Sequence, residues 1–540
     1  MPDPGPGLVG EEPGRGERVG WEGVARYISS MEYAFRTTPF RHQRELWDLH
    51  KNNLAWGYLL EMGCGKSKLV IDEATCLHQN DNKINGLFIV APNGVHRNWI
   101  SNEIPTHMPL ETLEKAQLFS YSGDKHASGK HQMYLGACVN APQNVLSVLA
   151  MSFDSLMTEH GRKAAKEFLT KRKCMFVVDE SLAIKDMKAQ RTKRVLAAGK
   201  YAPYRRILNG TPLTNGPFDI YSQILFLDPD FWTNRGISSF PAFKTMFASF
   251  KPIKVAGGRI IMTVDSYKNL PLLKSYVDEL CSRVTKDEVL DLPPKLYSTR
   301  SFEMTKEQER VYNDLKTEFM TILQSEFERH LGDGQPIYDE DGLMIGATQA
   351  EDLVTADMAL TRILRLQQVT CGYLPSDDTG KIIKIGDKNP RLELLEQICE
   401  EAPHSVIIWS RFRQSIDTIC EMLKGRCVRY DGKVDEDERA IAIERFQAGD
   451  AQFFVGNAQA AGKGLTLHKA RTVIYESNNF NLGDRLQSED RAHRIGQEHP
   501  VQYIDLVAAG TIDEHIAQSL IKKMDVAQQV TGDKVKEWLK

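Results

Sequence analysis

Short apolar runs alternate with longer amphipathic stretches along most of the chain, a rhythm typical of strands and helices in a parallel sheet. In the first half, four runs predict buried strands that each end in a polar loop: LFIVAP at 87–92, NVLSVLAMS at 144–152, KCMFVVDES at 173–181 and YRRILNGTP at 204–212. Ligands collect at the carboxyl ends of strands in open α/β sheets. We therefore expect the chemistry of this half to lie in those loops.

A second series of the same kind follows about two hundred residues later. Its members are HSVIIWSRF at 404–412, CVRYDG at 427–432, AQFFVGN at 451–457, RTVIYES at 471–477 and VQYIDLVAAG at 501–510. Two such series predict an α/β fold with two parallel-sheet lobes. The length of 540 residues is enough for two or three domains with separate cores.

The segment between the two series, about 227–395, has few strand signals and many helical ones, among them a helical pattern at 306–331. Two interpretations stay open: a helical linker domain, or a pair of helical insertions that grip a substrate. Within it, DGQPIYDEDG at 333–342 predicts an exposed loop. The predicted boundaries are a poorly ordered tail at 1–30, a first lobe at 31–295 with a helical insertion at about 228–280, a helical insertion and the start of the second lobe at 296–390, and a second lobe with C-terminal helices at 391–540.

Composition narrows the class of protein. The chain is 41% hydrophobic and 26% charged, as in soluble globular proteins, and no apolar stretch is long enough to span a membrane. The nine cysteines form no CxxC pair, which argues against a zinc site or a disulfide framework and favours a cytoplasmic compartment, with the nucleus as an alternative. The net charge of -4 means that any nucleic-acid contact would depend on a local basic strip.

The first chemical signal is LLEMGCGKSKLVIDEA at 59–74. Gly63 and Gly65, on either side of Cys64, would let backbone amides approach a phosphate, and the helix that follows would direct its N-terminus at the anion. Lys66 would neutralise the β and γ phosphates of ATP, and Ser67 would hold Mg²⁺. The pattern departs from the strict form GxxxxGK[ST], because Leu60 stands at the first glycine position.

Two further segments complete a candidate ATPase centre. The apolar strand of VVDES would deliver Asp179 to the metal and place Glu180 beside it as the base that orients the attacking water. In DRLQSEDRAHRIGQ at 484–497, a continuous helix would put Gln487, Arg491 and Arg494 on one face. The two arginines would then act as arginine fingers from the second lobe, so closing the lobes would complete the site.

With these segments in order, the chain resembles the superfamily 2 helicase-type ATPases, specifically the Swi/Snf family, from about residue 40 to residue 532. EMGCGKS is similar to motif I, IVAPNGVHRNW to motif Ia, DESLAIKD to motif II, LNGTPLTNGPFDIYSQILFLDP to motif III, VIIWSRF to motif IV, QAAGKGLTL to motif V and EDRAHRIGQ to motif VI. DLPPK at 291–295 and LRLQQVTCGYL at 364–374 resemble the segment between the lobes and the helix after it. The resemblance implies RecA-like lobes, an adenine contact by Gln43 and a nucleotide contact by Gly464 in motif V.

The resemblance also implies an activity: translocation along double-stranded DNA without strand separation, to remodel protein-DNA or branched-DNA structures. The matching positions for DNA contact are Asn93, Arg97, Gly210, Thr211, Arg411 and Gln459. We expect a monomer of a compact bacterial or viral type. The alternatives are a strand-separating helicase that acts on DNA or RNA, and an ATPase-impaired scaffold.

Three residues depart from the family pattern. Leu182 stands where motif II usually has a histidine that links it to motif III, and Ala458 stands where motif V usually has a threonine. Leu60 replaces an acidic residue before motif I. The first two departures bear on how tightly ATP hydrolysis is coupled to DNA movement, and not on the existence of the ATPase.

Overall fold

The computed structural model describes residues 33–80, 82–254, 260–329, 336–338, 344–347, 351–376, 379–459 and 465–533. The predicted tail at 1–30 lies outside the described residues. The chain divides into an N-terminal unit of residues 1–34 and a unit of residues 35–540, and everything below concerns the second unit.

The first lobe is built on a seven-stranded parallel sheet with the strand order β3-β4-β2-β5-β6-β1-β9 among the described residues. The strands β7 and β8 form a separate antiparallel pair. The strands of this half are β1 (Ala55–Leu60), β2 (Gly86–Ala91), β3 (Gln117–Ser120), β4 (Ser147–Ser152), β5 (Cys174–Asp179), β6 (Tyr204–Leu208), β7 (Ala248–Lys254), β8 (Ile260–Tyr267) and β9 (Cys281–Val284).

Helices cover both faces of this sheet, which is why the central strands β2, β4 and β5 are buried along their whole length. The core includes Phe88, Phe168, Phe176 and Trp232, all buried. The helices are α1 (Arg41–His50), α2 (Lys66–Gln79), α3 (Val95–Asn98), α4 (Ile104–His107), α5 (Leu110–Leu113), α6 (Gly129–Val139), α7 (Phe153–Met157), α8 (Glu159–Lys171), α9 (Gln190–Gly199), α10 (Tyr221–Leu227), α11 (Phe240–Phe247), α12 (Leu270–Asp278) and α13 (Lys286–Val289).

The second lobe has a six-stranded parallel sheet with the order β10-β19-β18-β15-β17-β16 among the described residues. Two antiparallel pairs, β11 with β12 and β13 with β14, lie outside this sheet. The strands are β10 (Lys295–Phe302), β11 (Pro336–Tyr338), β12 (Met344–Ala347), β13 (Tyr373–Pro375), β14 (Ile382–Lys384), β15 (Val406–Trp409), β16 (Cys427–Tyr430), β17 (Phe453–Gly456), β18 (Thr472–Tyr475) and β19 (Val501–Ala508).

Alternate residues of β15 enter different cores, because successive side chains of a strand point to opposite faces. Ile407 and Trp409 pack on one face, and Val406 and Ile408 pack on the other.

The helices of this half are α14 (Lys306–Arg329), α15 (Glu351–Thr370), α16 (Pro390–Glu401), α17 (Arg413–Met422), α18 (Glu436–Ala448), α19 (Leu482–Glu489) and α20 (Ile512–Thr531). None of the described helices has the length and apolarity that crossing a membrane requires.

The predicted fold of two parallel α/β lobes is confirmed, and every strand predicted in the two series is present. The expectation of few strands between the lobes is wrong, because β7 to β14 all begin and end there. Two of them, β9 and β10, are edge strands with mixed polar sequences. Their composition does not indicate a strand, and their pairing with a neighbouring strand stabilises the extended conformation. In the predicted loop at 333–342, Pro336–Tyr338 pairs with β12, and the rest lies outside the described residues.

A buried polar triad fixes helix α2 to the sheet of the first lobe. Arg206 on β6 donates to Glu73 on α2 with an Nε to Oε2 distance of 2.9 Å, and the Tyr58 hydroxyl on β1 also donates to Glu73. All three side chains are fully buried. Arg206 further donates to the carbonyl oxygens of His50 and Asn53, so its charge is fully hydrogen-bonded. The helix that follows the candidate phosphate-binding turn is therefore held rigidly.

We expect the substitution Arg206→Met to lower the free energy of unfolding of the first lobe by about 3 to 5 kcal/mol, because it leaves the Glu73 carboxylate buried without its cation. The matched control is Arg191→Met, which removes an exposed ion pair with Asp154 and should cost at most about 1 kcal/mol. Urea unfolding of both variants measures the difference. Equal losses for the two variants would contradict the role given to the triad.

Candidate nucleotide site

The turn between β1 and α2 has the backbone geometry of a phosphate-binding loop. Gly63 and Gly65 have φ angles of +91° and +76°, a region that disfavours residues with a side chain. A Cβ on Gly65 would also lie 2.0 Å from Nε2 of Gln43. Helix α2 begins at Lys66, so its first amides point into this turn.

Lys66 lies across the turn. Its Nζ donates to the carbonyl oxygens of Leu60 at 2.9 Å and Glu61 at 3.4 Å. Both acceptors are uncharged, so they leave the positive charge of the ammonium available to an anion. Burial raises the pKa of the Cys64 thiol to about 11, and its backbone N–H already donates to the Glu61 carbonyl. Cys64 is thus a neutral spacer within the loop.

Helix α1 is fastened to the same loop by two side chains. Gln43 donates from Nε2 to the Gly65 carbonyl at 3.0 Å, and its Oε1 accepts from the backbone N–H of Phe40 at 2.8 Å. The ring of His42 is hydrogen-bonded to the Cys64 carbonyl at 2.9 Å. The structure therefore brings Gln43, the predicted adenine contact, directly against the glycine turn.

The two acidic candidates are adjacent at the end of β5 but differ in environment. Asp179 is buried, and its Oδ2 accepts a hydrogen bond from the indole N–H of Trp99 at 2.8 Å. Burial raises the pKa of Asp179, while the Trp99 indole and the Lys66 charge oppose that effect. Glu180 is half-buried and has a φ of +55°, an uncommon conformation for a residue with a side chain that often marks a functional position.

The donor set at this end of the loop fits Mg²⁺. The Ser67 hydroxyl and the Asp179 carboxylate are hard oxygen donors, and Mg²⁺ is commonly held by one or two such groups together with substrate phosphates and water. The described residues contain no cluster of three or more His, Cys, Asp or Glu side chains that could bind a metal without a nucleotide. When bound, Mg²⁺ would neutralise charge on the phosphate oxygens.

The arginines of the second lobe are not on one helical face, so that prediction is wrong. Helix α19 ends at Glu489, which leaves Gln487 in the helix and places Arg491 and Arg494 in the turns after it. Both arginines donate from Nη1 to the Leu465 carbonyl, at 3.4 Å and 3.0 Å. Burial lowers the pKa of Arg491 to about 10, and the negative charges of Asp490 and Glu180 oppose that effect. The interaction with Glu180 joins the two lobes electrostatically.

A buried lysine that sequence reasoning missed joins the glycine turn to the arginine segment. Lys286 donates from Nζ to Oδ1 of Asp490 and to the carbonyl oxygen of His493, both at 2.7 Å. Its backbone N–H donates to the Glu61 carboxylate at 2.9 Å. Burial lowers the pKa of Lys286, and the Asp490 carboxylate is the main opposing influence. Its place shortly before the DLPPK segment is the one sequence signal that points to it.

Arg283 on β9 makes a second connection of this kind. Its Nη1 donates to the carbonyl oxygens of Leu59 at 2.8 Å and Gly210 at 2.9 Å. Its Nε and Nη2 donate to the two carboxylate oxygens of Asp533, each at 2.8 Å, just beyond the end of α20. A Cβ on Gly210 would lie 3.3 Å from the backbone nitrogen of Met62. Gly210, predicted as a DNA contact, is thus packed against the glycine turn.

The remaining DNA candidates follow strands in both lobes. Asn93 is exposed in the loop after β2, and Arg97 is exposed on α3. Arg411, after β15, is half-buried and donates to Oε1 of Gln367 at 2.8 Å, and Gln459, after β17, is exposed. The backbone N–H of Thr211, beside Gly210, donates to the Asn209 side chain. Gly464 lies outside the described residues.

Two protein-family models match this chain. The SNF2-related domain matches residues 45–369, and the helicase conserved C-terminal domain matches residues 390–496. The chain belongs to the SNF2-related family. This confirms the predicted Swi/Snf resemblance and the enzyme class, an ATPase with a helicase-like core.

Several relatives of this SNF2-related chain are similar over most of its length. Transcription regulatory protein SNF2 of Saccharomyces cerevisiae is 24% identical, covering 87% of this chain and 26% of the relative. Protein CHROMATIN REMODELING 19 of Arabidopsis thaliana is also 24% identical, with coverages of 86% and 64%. An uncharacterized ATP-dependent helicase of Mycoplasma genitalium is 24% identical, with coverages of 88% and 40%. The chain therefore spans less than two thirds of the length of these relatives.

Among solved structures, the SWI2/SNF2 ATPase core of Sulfolobus solfataricus in complex with dsDNA is similar at 19% identity. The match covers 94% of this chain and 100% of that chain, with a TM-score of 0.39.

The junction of the SNF2-related lobes predicts a pH dependence of stability. Burial lowers the pKa of His493 from 6.5 to about 4, and the nearby charges of Lys295 and Lys286 act in the same direction. The unfolded chain therefore binds a proton at this residue below about pH 6.5, whereas the folded chain does not until about pH 4. The free energy of unfolding consequently falls as the pH is lowered through this window.

We expect wild type to lose about 2 kcal/mol more stability between pH 7 and pH 5 than His493→Gln, which cannot titrate there. Urea unfolding at the two pH values measures the difference. His515→Gln, which changes an exposed histidine on α20, is the control and should behave as wild type. Equal losses in wild type and His493→Gln would contradict the prediction.

Proposed function

We propose that this SNF2-related chain is a DNA-dependent ATPase that translocates along double-stranded DNA. The observation that carries the proposal is the junction at Lys286. This one residue contacts Glu61 beside the glycine turn and Asp490 beside Arg491, so the segments proposed to bind and hydrolyse ATP meet where the lobes meet.

In the proposed reaction, the glycine turn and Lys66 bind the phosphates of ATP, and Ser67 and Asp179 hold Mg²⁺. Glu180 orients the attacking water, for which its half-buried position next to Asp179 is suited. Arg491 and Arg494 stabilise the charge that develops on the transferred phosphoryl group. Gln43, which lies against the turn, contacts the adenine base.

Coupling to movement follows from the contacts that connect the lobes. Arg283 joins the carbonyl oxygens of Leu59 and Gly210 to Asp533, which follows α20 of the second lobe. A change in the glycine turn on ATP binding or hydrolysis would therefore alter the contacts of both lobes at once. The lobes would advance along DNA by alternating between the arrangement with ATP bound and the arrangement after hydrolysis.

The proposed DNA contacts are phosphate contacts from residues that follow strands in both lobes: Asn93, Arg97, Arg411 and Gln459. Such contacts give binding that is independent of sequence and weakens with salt. Names of relatives support DNA as the substrate: the chromodomain-helicase-DNA-binding protein 1-like of Danio rerio is 24% identical, and the probable ATP-dependent DNA helicase CHR12 of Arabidopsis thaliana is 25% identical. Remodelling of protein-DNA or branched-DNA structures is the proposed use of the movement.

We expect linear duplex DNA to stimulate ATP hydrolysis more than single-stranded DNA or RNA does. Lys66→Ala should remove turnover by weakening phosphate binding, and Glu180→Gln should lower it by about 100-fold or more while ATP still binds. Lys163→Ala, which removes an exposed lysine on α8, is the control. Phosphate release is measured with linear duplex, forked duplex, single strand and RNA.

Strand-separation and duplex-binding assays on the same protein complete this experiment, and three results would reject the proposal. Unwinding of a tailed duplex would identify a strand-separating helicase, and preferential stimulation by RNA would identify an RNA-directed enzyme. Turnover at background with every nucleic acid, together with binding to duplex, would identify an ATPase-impaired scaffold.

The DNA contacts are tested separately through salt dependence. We expect Arg97→Ala to reduce the slope of log affinity against log salt concentration by about 1 for duplex DNA, since one phosphate contact is lost, and to leave turnover without DNA unchanged. Lys115→Ala, which removes an exposed charge just after α5, should leave the slope unchanged. Fluorescence anisotropy over a salt series measures both, and an unaltered slope for Arg97→Ala would remove Arg97 from the proposed interface.

A further inference from the structure

A π-helical turn of the first lobe, Trp99–Glu103, lies beside the candidate Mg²⁺ site. It joins α3 to α4, and π-turns are rare and occur frequently at functional sites. Motif Ia, which ends at Trp99, was predicted to contact DNA through Asn93 and Arg97. Two side chains of the turn are directed instead at the residues proposed to hold the metal.

Trp99 is the first of these residues. It is only 1% exposed, and its indole N–H donates to Oδ2 of Asp179 at 2.8 Å. The other carboxylate oxygen, Oδ1, accepts from the backbone N–H of Glu180 at 3.0 Å. Each oxygen of Asp179 thus has one donor that fixes the orientation of the carboxylate. Each oxygen also retains a lone pair, which leaves the group able to bind a cation or its water.

Glu103 is the second, four residues further along the turn. Its carboxylate is half-buried, accepts from the side-chain amide of Asn98 at 3.1 Å and lies next to the hydroxyl of Ser67. Asp179 is close enough to act on it electrostatically. Glu103 therefore neighbours both the hydroxyl and the carboxylate proposed to hold the metal.

We propose that Trp99 and Glu103 are positioning residues for the Mg²⁺ that accompanies ATP. Trp99 holds the Asp179 carboxylate in its binding orientation, and Glu103 places negative charge beside the Ser67 hydroxyl and near the cation. This inference rests on the proposed function, because it requires that Mg²⁺ and ATP bind at this turn. Loss of such outer contacts typically lowers metal affinity by about 10- to 100-fold.

The test uses the full chain and a fluorescent, non-hydrolysable ATP analogue, titrated with and without Mn²⁺ as a stand-in for Mg²⁺. Electron paramagnetic resonance of bound Mn²⁺ supplies a readout that is independent of turnover. Trp99→Phe keeps an aromatic ring but removes the N–H donor. We expect it to bind the metal-free analogue within about twofold of wild type and to weaken Mn²⁺ binding by about 10-fold or more.

The matched control for this variant is Trp232→Phe. Trp232 is likewise 1% exposed, and its indole N–H donates to the Tyr221 carbonyl at 3.0 Å, away from the acidic residues. It should leave Mn²⁺ affinity unchanged. Glu103→Gln, compared with the exposed Glu111→Gln on α5, tests the second residue, and we expect a loss of about 10-fold in Mn²⁺ affinity from Glu103→Gln alone.

The outcomes separate this inference from the proposed function. If Mn²⁺ does not strengthen analogue binding in wild type, the proposed ATP site fails. If it does, and both Trp99→Phe and Glu103→Gln bind Mn²⁺ as wild type does, the inference is overturned while the ATP site stands. Melting temperatures identify a variant that does not fold, and if Trp99→Phe is such a variant, Glu103→Gln decides alone.

Discussion

The arrangement of the two lobes depends on one buried ammonium group, that of Lys286. Removing a charge from water is costly, and Lys286 offsets this cost with a carboxylate from Asp490 and a carbonyl from His493, both in the arginine segment. Its own backbone holds Glu61, the residue that begins the glycine turn. The ammonium of this lysine binds the arginine segment and its backbone binds the residue before the glycine turn, so Lys286 helps to set the geometry of the candidate site at the link between the lobes.

The two lobes contribute to the site in different ways. In the first lobe, the fully buried triad of Tyr58, Glu73 and Arg206 fixes α2, and the acidic pair follows directly from a central strand. In the second lobe, Arg491 and Arg494 lie in turns after α19. The first lobe thus offers a rigid phosphate-binding turn, and the second lobe offers positive charge from its turns. This arrangement suits a site that assembles when the lobes approach each other.

Sequence patterns predict strands and short motifs, whereas contacts between residues far apart in the chain are seen only in the structure. The central strands were predictable because burial on both faces requires continuous apolar runs, whereas β9 and β10 were not, since an edge strand tolerates polar residues. Lys66, Asp179 and Glu180 follow from short motifs. Trp99 is 80 residues from Asp179, so no local spacing indicates their contact. The predicted helix through Arg491 fails because Arg491 accepts from the backbone of Leu467 and His493 bonds to Pro293, tertiary contacts that outweigh helix propensity.

The residue in place of the usual motif II histidine has a mechanical consequence. Leu182 lies against Gly483 at the start of α19, with its Cδ2 3.7 Å from the position of a Cβ on that glycine, and Thr214 is its neighbour there. A histidine would make a hydrogen bond with one preferred distance and direction, whereas contact between aliphatic groups has no preferred direction and costs little to displace. This apolar contact between the lobes therefore imposes no particular direction on them, and the charged contacts around it set their relative position.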